Sequence, residues 1–364
     1  MQFVDLKSQY LALKQQIDQR IQAVLDHGQY ILGPEVEELE SALAQRVQVR
    51  HCVTVASGTE ALRIALMALD IRPGDEVITT AFSFAATAEV IALLGARPVF
   101  VDIDPRTCLI ELNQIEARVT SRTRALMPVS LYGLMPDIEA LQVIADRHGL
   151  ALVEDGAQSF GASWRGRPSG GIGAFGCTSF FPSKPLGCYG DGGALFTNDD
   201  RLAQVAREIR VHGQERRYHH TRLGLGGRMD TLQCAIVLAK LERFDWELQQ
   251  RAHWAQRYSQ ELSDIPGLRL LEVSPHARSA WAQFTVWLQR RDEVQARMRE
   301  QGIPTAIHYP LSLHRQPAFE SLCCPQCCPA SDEAARSVLS LPLSADLTMA
   351  DQQRVVQALR LALS

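Results

Sequence analysis

Long apolar runs are missing from this chain of 364 residues, and so is an excess of positive charge. No segment approaches the roughly 20 consecutive apolar residues that a membrane-spanning helix needs. The N-terminus has no basic stretch followed by an apolar run, so no secretory signal is predicted. The net charge of −4 gives no overall field that would attract nucleic acid. These absences predict a soluble, cytoplasmic protein without nucleic-acid or membrane partners.

The sequence has nine cysteines but lacks the signs of a disulfide framework. Most of the cysteines are scattered and follow no secretory signal, which favours free thiols. One cluster differs, with Cys323, Cys324, Cys327 and Cys328 close together. A structural zinc site usually takes ligand pairs from two separated segments, and the sequence has no second pair. We therefore interpret the cluster as a surface loop of reduced thiols and predict no metal site.

The first half of the chain has the pattern of an α/β protein. Short runs rich in Val and Ile alternate with stretches of helical period, which is typical of a parallel sheet covered by helices. The predicted strands and helices are listed together here: strands at residues 51–56, 76–79, 98–102, 125–130 and 151–154, and helices at residues 59–69, 84–94, 110–119 and 137–148.

The second half of the chain has a different pattern of predicted secondary structure. A long helix is predicted over residues 231–262, and Pro266-Gly267 marks a break after it. The remainder, with a strand-like segment at 281–288, indicates a smaller α+β domain. We predict a large domain of residues 1–245 and a small C-terminal domain of residues 246–364. The opening segment has apolar residues at helical spacing and packs either on the rest of the chain or on a second subunit.

Residues 171–176 match the dinucleotide-binding pattern G-x-G-x-x-G. That pattern binds a dinucleotide where it follows a strand and opens a helix. Here it follows a polar turn and leads into a strand-like segment. We interpret it as a flexible turn.

Two motifs indicate places where a ligand could bind. Ser57, Gly58 and Thr59 lie between a predicted strand and helix, where free backbone N–H groups form an anion site. The same residues also suit an ordinary helix cap. Asp155 and Gln158 follow the end of a predicted strand, the edge where α/β sheets bind ligands. A buried Asp there can pair with a protonated pyridine nitrogen, or a carboxylate can cap the next helix.

A third motif contains Lys184, between a strand-like segment and a glycine-rich turn. Desolvation would lower the pKa of this lysine and free its amine to form a Schiff base. A lone lysine in a loop is more commonly solvated. The combination of a phosphate cradle, an acid at a strand end and a lysine about thirty residues later is more specific than any one motif.

In that order and spacing, the motifs resemble the sugar aminotransferases of the DegT/StrS family. The resemblance covers nearly the whole chain, from residues 3–6 and 33–40 to residues 305–311. Residues 179–193 and 212–220 are most similar to family members that act on UDP-2-acetamido-2-deoxy-3-oxo-glucuronate. The family resemblance implies the type I fold of pyridoxal-phosphate enzymes, with a large domain of mostly parallel sheet and a small α+β domain.

The resemblance also implies pyridoxal 5'-phosphate as the cofactor and assigns a role to each motif. Lys184 would bind the cofactor covalently and later move a proton to or from the sugar carbon. Asp155 would keep the pyridine nitrogen protonated, Gln158 would bond the ring oxygen, and Phe82 would stack on the ring. The residues expected to hold the phosphate are Gly58, Thr59 and Ser179.

For the substrate, anion recognition calls for Arg and His donors. The predicted substrate-binding residues are Arg228, His308 and Tyr309. For the other basic residues of 216–222 there are two alternatives: they bind the same anions, or they form a basic face exposed to solvent. Gly226 stands where many family members have an Asn that reaches the phosphate from the neighbouring subunit. Either that donor is lost, or a backbone N–H or water replaces it.

The resemblance implies transfer of an amino group from L-glutamate to C3 of a UDP-linked 3-keto sugar acid, for O-antigen and lipopolysaccharide synthesis. A homodimer with shared active sites is expected. One alternative is a dTDP-linked 3-keto or 4-keto deoxyhexose as acceptor. Another is a non-catalytic regulatory protein of the same fold. Lys184 disfavours the family's dehydratases, which lack this lysine.

Overall fold

A seven-stranded sheet forms the centre of the protein, in a computed structural model that describes residues 1–324 and 326–364. The strands are β1 His51–Val55, β2 Glu76–Thr80, β3 Arg97–Val101, β4 Ile103–Asp104, β5 Leu109–Ile110, β6 Thr123–Met127, β7 Ala151–Asp155, β8 Ser163–Trp164, β9 Arg167–Pro168, β10 Phe175–Ser179, β11 Gly193–Thr197, β12 Gln214–Arg216, β13 His219–His220, β14 Leu268–Leu270, β15 Ala277–Arg278, β16 Phe284–Leu288 and β17 Val338–Leu341.

Helices cover this sheet and form much of the rest of the chain. They are α1 Leu6–His27, α2 Pro34–Val47, α3 Gly58–Ala68, α4 Ala86–Leu93, α5 Ile138–His148, α6 Asp200–Arg210, α7 Thr231–Leu241, α8 Phe244–Leu262, α9 Arg291–Glu300, α10 Pro329–Ser337 and α11 Met349–Leu363. In the described part of the chain, none of these helices combines the length and apolar character needed to cross a bilayer.

The central sheet has the order β1-β11-β10-β7-β6-β2-β3. Strands β10, β7, β6, β2 and β3 run parallel to one another, whereas β11 runs antiparallel to β1 and β10 on either side of it. Helices on both faces bury these strands, which explains their continuous apolar runs. The five predicted strands are all present, with ends that differ by a few residues. The predicted mostly parallel α/β fold is confirmed.

The predicted helix over residues 110–119 is wrong. This segment contains the end of β5 and two 3-10 turns, Leu112–Gln114 and Glu116–Arg118. The Glu111 side chain accepts a hydrogen bond from the backbone N–H of Asn113, at 3.2 Å. Such local bonds compete with helix formation. Ile110 and Ile115 are both buried in the core, so tertiary packing produced the apolar spacing that had indicated a helix.

The predicted single helix over residues 231–262 is also wrong, because it is two helices, α7 and α8. The backbone N–H of Arg243 bonds the carbonyl of Lys240 at 3.2 Å and tightens the last turn of α7. The Arg243 guanidinium then pairs with Asp346 near the C-terminus. This ion pair ties the start of α8 to the C-terminal part of the chain.

Helix α1 packs on its own chain, and its contact with a second subunit stays a prediction. Leu13 and Ile17 contact Ile236 and Ala239 of α7. The sequence did not predict α2, whose Leu39 and Leu43 are fully buried.

The C-terminal part builds a second, three-stranded sheet in the order β14-β16-β17. Its apolar core includes side chains from α8, α9 and α11. The proposed boundary after residue 245 falls in the first turn of α8. The division into a large and a small domain stays a prediction.

Candidate active site

A cavity of about 450 Å³ opens at the carboxyl ends of β7 and β10, where they meet the start of α3. Ligand sites of α/β sheets lie at this edge. The structure brings eight of the predicted site residues to its wall: Gly58, Thr59, Asp155, Gln158, Ser179, Lys184, His308 and Tyr309. Residues far apart in the sequence therefore meet around one space.

The N-terminus of α3 forms one wall of the cavity. The hydroxyl of Ser57 accepts a hydrogen bond from the backbone N–H of Glu60 at 3.1 Å and caps the helix. Gly58 and Thr59 line the cavity. A Cβ atom at Gly58 would lie only 2.6 Å from Cβ of Ser179. The capping role and the anion-site role thus coexist, and the cradle fits a phosphate group.

Gly58→Ala is expected to weaken binding of pyridoxal phosphate by roughly 10-fold or more, equivalent to about 1.4 kcal/mol. The new methyl group would push the start of α3 away from Ser179 and move the free N–H groups. The measurement is a titration of the apo-protein with cofactor, followed by absorbance. Gly28→Ala, at the C-terminal end of α1 and away from the cavity wall, is the control, because its added Cβ would have no other atom within 4 Å. Equal affinities for the two variants would place the phosphate elsewhere.

Asp155 ends β7 and is buried at the bottom of the cavity, with 4% of its surface exposed. Its carboxylate accepts hydrogen bonds from the Thr87 hydroxyl at 2.7 Å and from the backbone N–H of Ala157 at 3.2 Å. Burial raises the pKa of Asp155, while these bonds and the charge of Lys184 act against the rise. A protonated pyridine nitrogen would supply the close positive partner that this buried carboxylate needs.

The neighbouring Glu154 has a different function. Its carboxylate accepts hydrogen bonds from the hydroxyls of Ser130 and Ser169 and from the backbone N–H of Gly170, each at 2.7 Å. Successive residues of a strand point to opposite faces. Glu154 therefore holds the strand ends together behind the cavity, and Asp155 alone of the pair lines it.

Lys184 lies in the loop after β10, where its backbone N–H bonds the carbonyl of Phe181 at 2.9 Å. Its side chain is partly buried in the cavity wall. Burial lowers the pKa of Lys184 to about 8, although the charge of Asp155 opposes the shift. The uncharged amine is therefore accessible near neutral pH, as a Schiff-base lysine requires.

Covalent loading of the apo-protein with pyridoxal phosphate should accelerate about 10-fold from pH 7 to pH 9, because only the uncharged amine attacks the aldehyde. With a pKa of about 8, the rate should level off above pH 9. An ordinary lysine, with a pKa near 10.4, would still be reacting faster with each increase in pH. Stopped-flow absorbance measures the rate, and Lys184→Arg should show no covalent loading. A rate that keeps rising well above pH 9 would contradict the lowered pKa.

Gln158 is fixed from both ends of its amide. The backbone N–H of Tyr132 donates to Oε1 at 2.9 Å, so this atom must be the amide oxygen. The amide nitrogen donates to the hydroxyl of Tyr309, also at 2.9 Å. One amide N–H remains for a ligand oxygen. The predicted role of Gln158 towards the cofactor's ring oxygen is compatible with this orientation.

Of two neighbouring aromatic residues, Phe82 lies in the core and Phe84 lines the cavity. Phe82 is fully buried in the core and does not contribute to the cavity wall. Phe84 lines the cavity, with 57% of its surface exposed and its ring centroid 6.0 Å from that of Tyr309. Phe84 is thus the better placed of the two to contact a bound ring, and the stacking role given to Phe82 stays a prediction.

The structure does not bring Arg228 to the cavity wall. Its guanidinium lies beside Gly226. A Cβ atom added at Gly226 would be 3.7 Å from this guanidinium and 3.3 Å from the ring of His212. The basic residues of the β12–β13 hairpin do not contribute to the wall either. Lys184 and His308 are the basic side chains among the described wall residues, and burial lowers the pKa of His308 to about 4. His308 is therefore a neutral hydrogen-bonding group at neutral pH.

Several wall and support residues were missed by the sequence reasoning. Thr87 bonds Asp155, Tyr132 orients Gln158, and Phe84 and Gln283 line the cavity. A sequence signal existed for Phe84 and Thr87, which follow the end of β2 at the same sheet edge. No such signal marked Tyr132, whose backbone φ of 59° is rare for a residue with a side chain.

Comparison with known proteins gives consistent matches. The sequence profile of the DegT/DnrJ/EryC1/StrS aminotransferase family matches residues 12–360. The chain is 50% identical to the UDP-2-acetamido-2-deoxy-3-oxo-D-glucuronate aminotransferase of Pseudomonas aeruginosa, over 99% of each chain. It is 40% identical to the dTDP-3-amino-3,4,6-trideoxy-alpha-D-glucose transaminase of Streptomyces venezuelae, over 98% of this chain and 95% of the relative.

Solved structures of similar proteins agree with this family assignment. The crystal structure of S. venezuelae DesV has a TM-score of 0.98 and 39% identity, covering 100% of this chain and 98% of that one. The structure of NtdA from Bacillus subtilis, which contains the cofactor PMP, has a TM-score of 0.91 and 29% identity, covering 97% and 82%.

Proposed function

Because the chain belongs to the DegT/DnrJ/EryC1/StrS aminotransferase family, we propose that it aminates C3 of UDP-2-acetamido-2-deoxy-3-oxo-glucuronate, with L-glutamate as amino donor. The family resemblance, the type I fold, the pyridoxal-phosphate cofactor and the aminotransferase class are confirmed. The observation that carries the choice of substrate is the full-length similarity to the P. aeruginosa enzyme.

Pyridoxal phosphate, when bound, supplies an electron sink that allows an amino group and a carbonyl to exchange. The residues of the chain would bind the cofactor, set its charge and transfer protons. Gly58, Thr59 and Ser179 would hold the phosphate, and Asp155 would keep the ring nitrogen protonated. Lys184, with its lowered pKa, would take a proton from one carbon and return it to another.

The absence of arginine from the described cavity wall bears on the substrate. A UDP-linked sugar acid has a diphosphate and a carboxylate, which require cationic donors. We propose that a second copy of the chain completes the site, as a homodimer. Large apolar side chains are exposed at the cavity wall and around the β12–β13 hairpin, and they support this because exposed apolar groups mark interfaces: Phe84, Phe181, Tyr218 and Leu223.

We propose a cytoplasmic location for the protein. All nine cysteines are free, which suits a reducing compartment such as the cytoplasm. A 3-amino sugar nucleotide would be a precursor of surface polysaccharide, including O-antigen and lipopolysaccharide. Light scattering measures the predicted dimer, and an active monomer in dilute solution would contradict it.

The substrate is tested in two half-reactions. The purified holoenzyme is first treated with L-glutamate, and one equivalent of 2-oxoglutarate per active site is expected. After gel filtration, the aminated enzyme is mixed separately with the UDP-linked 3-keto sugar acid and with dTDP-linked 3-keto and 4-keto deoxyhexoses. Mass spectrometry then identifies any amino sugar nucleotide.

Each outcome has a clear meaning. Product from the sugar acid alone supports the proposal. Product from a dTDP-sugar alone would keep the mechanism and replace the substrate, in line with the similarity to the S. venezuelae transaminase. No 2-oxoglutarate with a loaded cofactor would favour the regulatory alternative.

A further inference from the structure

The cysteine cluster before α10 is not explained by the proposed function. Cys323 Sγ and Cys327 Sγ lie 3.0 Å apart, and Cys328 Sγ lies 3.8 Å from Cys327 Sγ. The predicted surface loop of thiols is thus only partly at the surface, because Cys328 is fully buried while Cys324 is exposed. Pro325, within this loop, lies outside the described residues.

The chain holds this segment at both ends. On the N-terminal side, the Arg97 side chain bonds the carbonyl of Leu322 at 3.3 Å. On the C-terminal side, Cys328 packs beside Ala81 and Phe100, and α10 begins at the next residue. The carboxylate of Asp102 accepts hydrogen bonds from the N–H groups of Ala330 and Ser331, each at 2.8 Å. The thiols are thereby held close together between two anchored ends.

Two hydrogen bonds from Cys327 to Cys324 bring Cys327 close to Cys323. The backbone N–H of Cys327 bonds the carbonyl of Cys324 at 3.4 Å, and Cys327 Sγ donates to the same carbonyl at 2.8 Å. Cys327 therefore folds back towards Cys323. A disulfide has an S–S distance of about 2.0 Å, so closing the pair needs a movement of about 1 Å. No group of three or more His, Cys, Asp or Glu side chains among the described residues has the arrangement of a metal site.

We propose that Cys323 and Cys327 are a reversible thiol-disulfide pair, oxidised by a low-molecular-weight disulfide such as glutathione disulfide. The thiolate of Cys327 attacks the small disulfide, which breaks its S–S bond and releases one small thiol. Cys323 then gives its proton to solvent and attacks Cys327 Sγ, which forms the internal disulfide and releases the second small thiol. The protein pair loses two electrons, and the small disulfide gains them.

Partial exposure makes the pair accessible to such a reagent, whereas the remaining cysteines outside the cluster are buried and dispersed: Cys52, Cys108, Cys177, Cys188 and Cys234. Accessible disulfides of this kind are generally the labile ones.

The test counts thiols in the full-length holoenzyme. The protein is reduced, freed of reductant, incubated with glutathione disulfide, cleared of it, and denatured for titration with a chromogenic thiol reagent. The expected count falls from nine to seven, because the disulfide consumes two thiols, and dithiothreitol restores nine. The tryptic fragment of residues 316–336 contains all four cluster cysteines and should lose the mass of two hydrogen atoms.

Single variants identify the pair. Cys323→Ser and Cys327→Ser should form no internal disulfide, whereas Cys324→Ser should fall from eight thiols to six. A constant count of nine in the wild-type chain would overturn the proposal. So would loss of the disulfide in Cys324→Ser, a stable glutathione adduct in place of the internal bond, or stoichiometric zinc that must be chelated before the thiols react.

Discussion

Lys184→Ala is expected to reduce amino transfer from L-glutamate at least about 10³-fold, the upper part of the range for loss of a positioned acid-base group. The amine is partly buried, faces the cavity that also contains Asp155, and has a pKa lowered to about 8. No other lysine lines this cavity among the described residues. The measurement is single-turnover formation of 2-oxoglutarate by protein saturated with cofactor.

Lys184→Arg is the matched control, because it keeps a positive charge but lacks an amine that can form a Schiff base or transfer a proton near neutral pH. Both variants should still bind the cofactor non-covalently through the phosphate cradle. Added methylamine should restore part of the activity of the alanine variant. Wild-type turnover in either variant would show that another group transfers the proton.

Asp155→Asn should lower kcat about 10²- to 10³-fold, the cost typical of removing one preorganised electrostatic partner. The amide keeps the size of the carboxylate but loses the charge that would hold the ring nitrogen protonated. Thr87→Val should have a smaller effect, about 10-fold, because it removes only one hydrogen bond to that carboxylate. Steady-state kinetics at saturating glutamate measure both effects.

Stability separates this role from a structural one. Burial raises the pKa of Asp155 above its ordinary value. The ionised form is therefore disfavoured in the folded apo-protein, and its cost in stability grows as the pH rises above the ordinary pKa of about 3.9. Apo Asp155→Asn should accordingly unfold at a temperature equal to or above wild type at neutral pH. Lower stability together with lower activity would indicate that Asp155 mainly supports the fold.

The sequence predicted most of the sheet and the cofactor side of the site. Both follow from local rules: buried parallel strands are continuous apolar runs, and their ends are followed by the residues that bind ligands. Ser57, Asp155 and Lys184 could be selected because each occupies a recognisable position relative to a strand. The predicted helix at residues 110–119 failed because core packing can reproduce helical spacing without a helix.

The substrate side was less predictable. Phe82 and Phe84 are two residues apart, and only the path of the chain after β2 decides which one faces the cavity. Arg228 follows a chain reversal whose direction the sequence did not reveal. Tyr132 orients Gln158 through a backbone N–H, which every residue except proline has, so its identity carried no signal.

The sequence by itself determined the α/β class, the phosphate cradle, the buried acid and the lysine, because these depend on residue type and on position relative to nearby strands. Only the tertiary structure decided that these groups share one cavity and that the wall formed by one chain's described residues has no arginine. It alone also placed the sulfur atoms of Cys323 and Cys327 3.0 Å apart. Such distances depend on how separate segments pack against one another. Local patterns in a sequence record which residues are buried, but not which distant residues they meet.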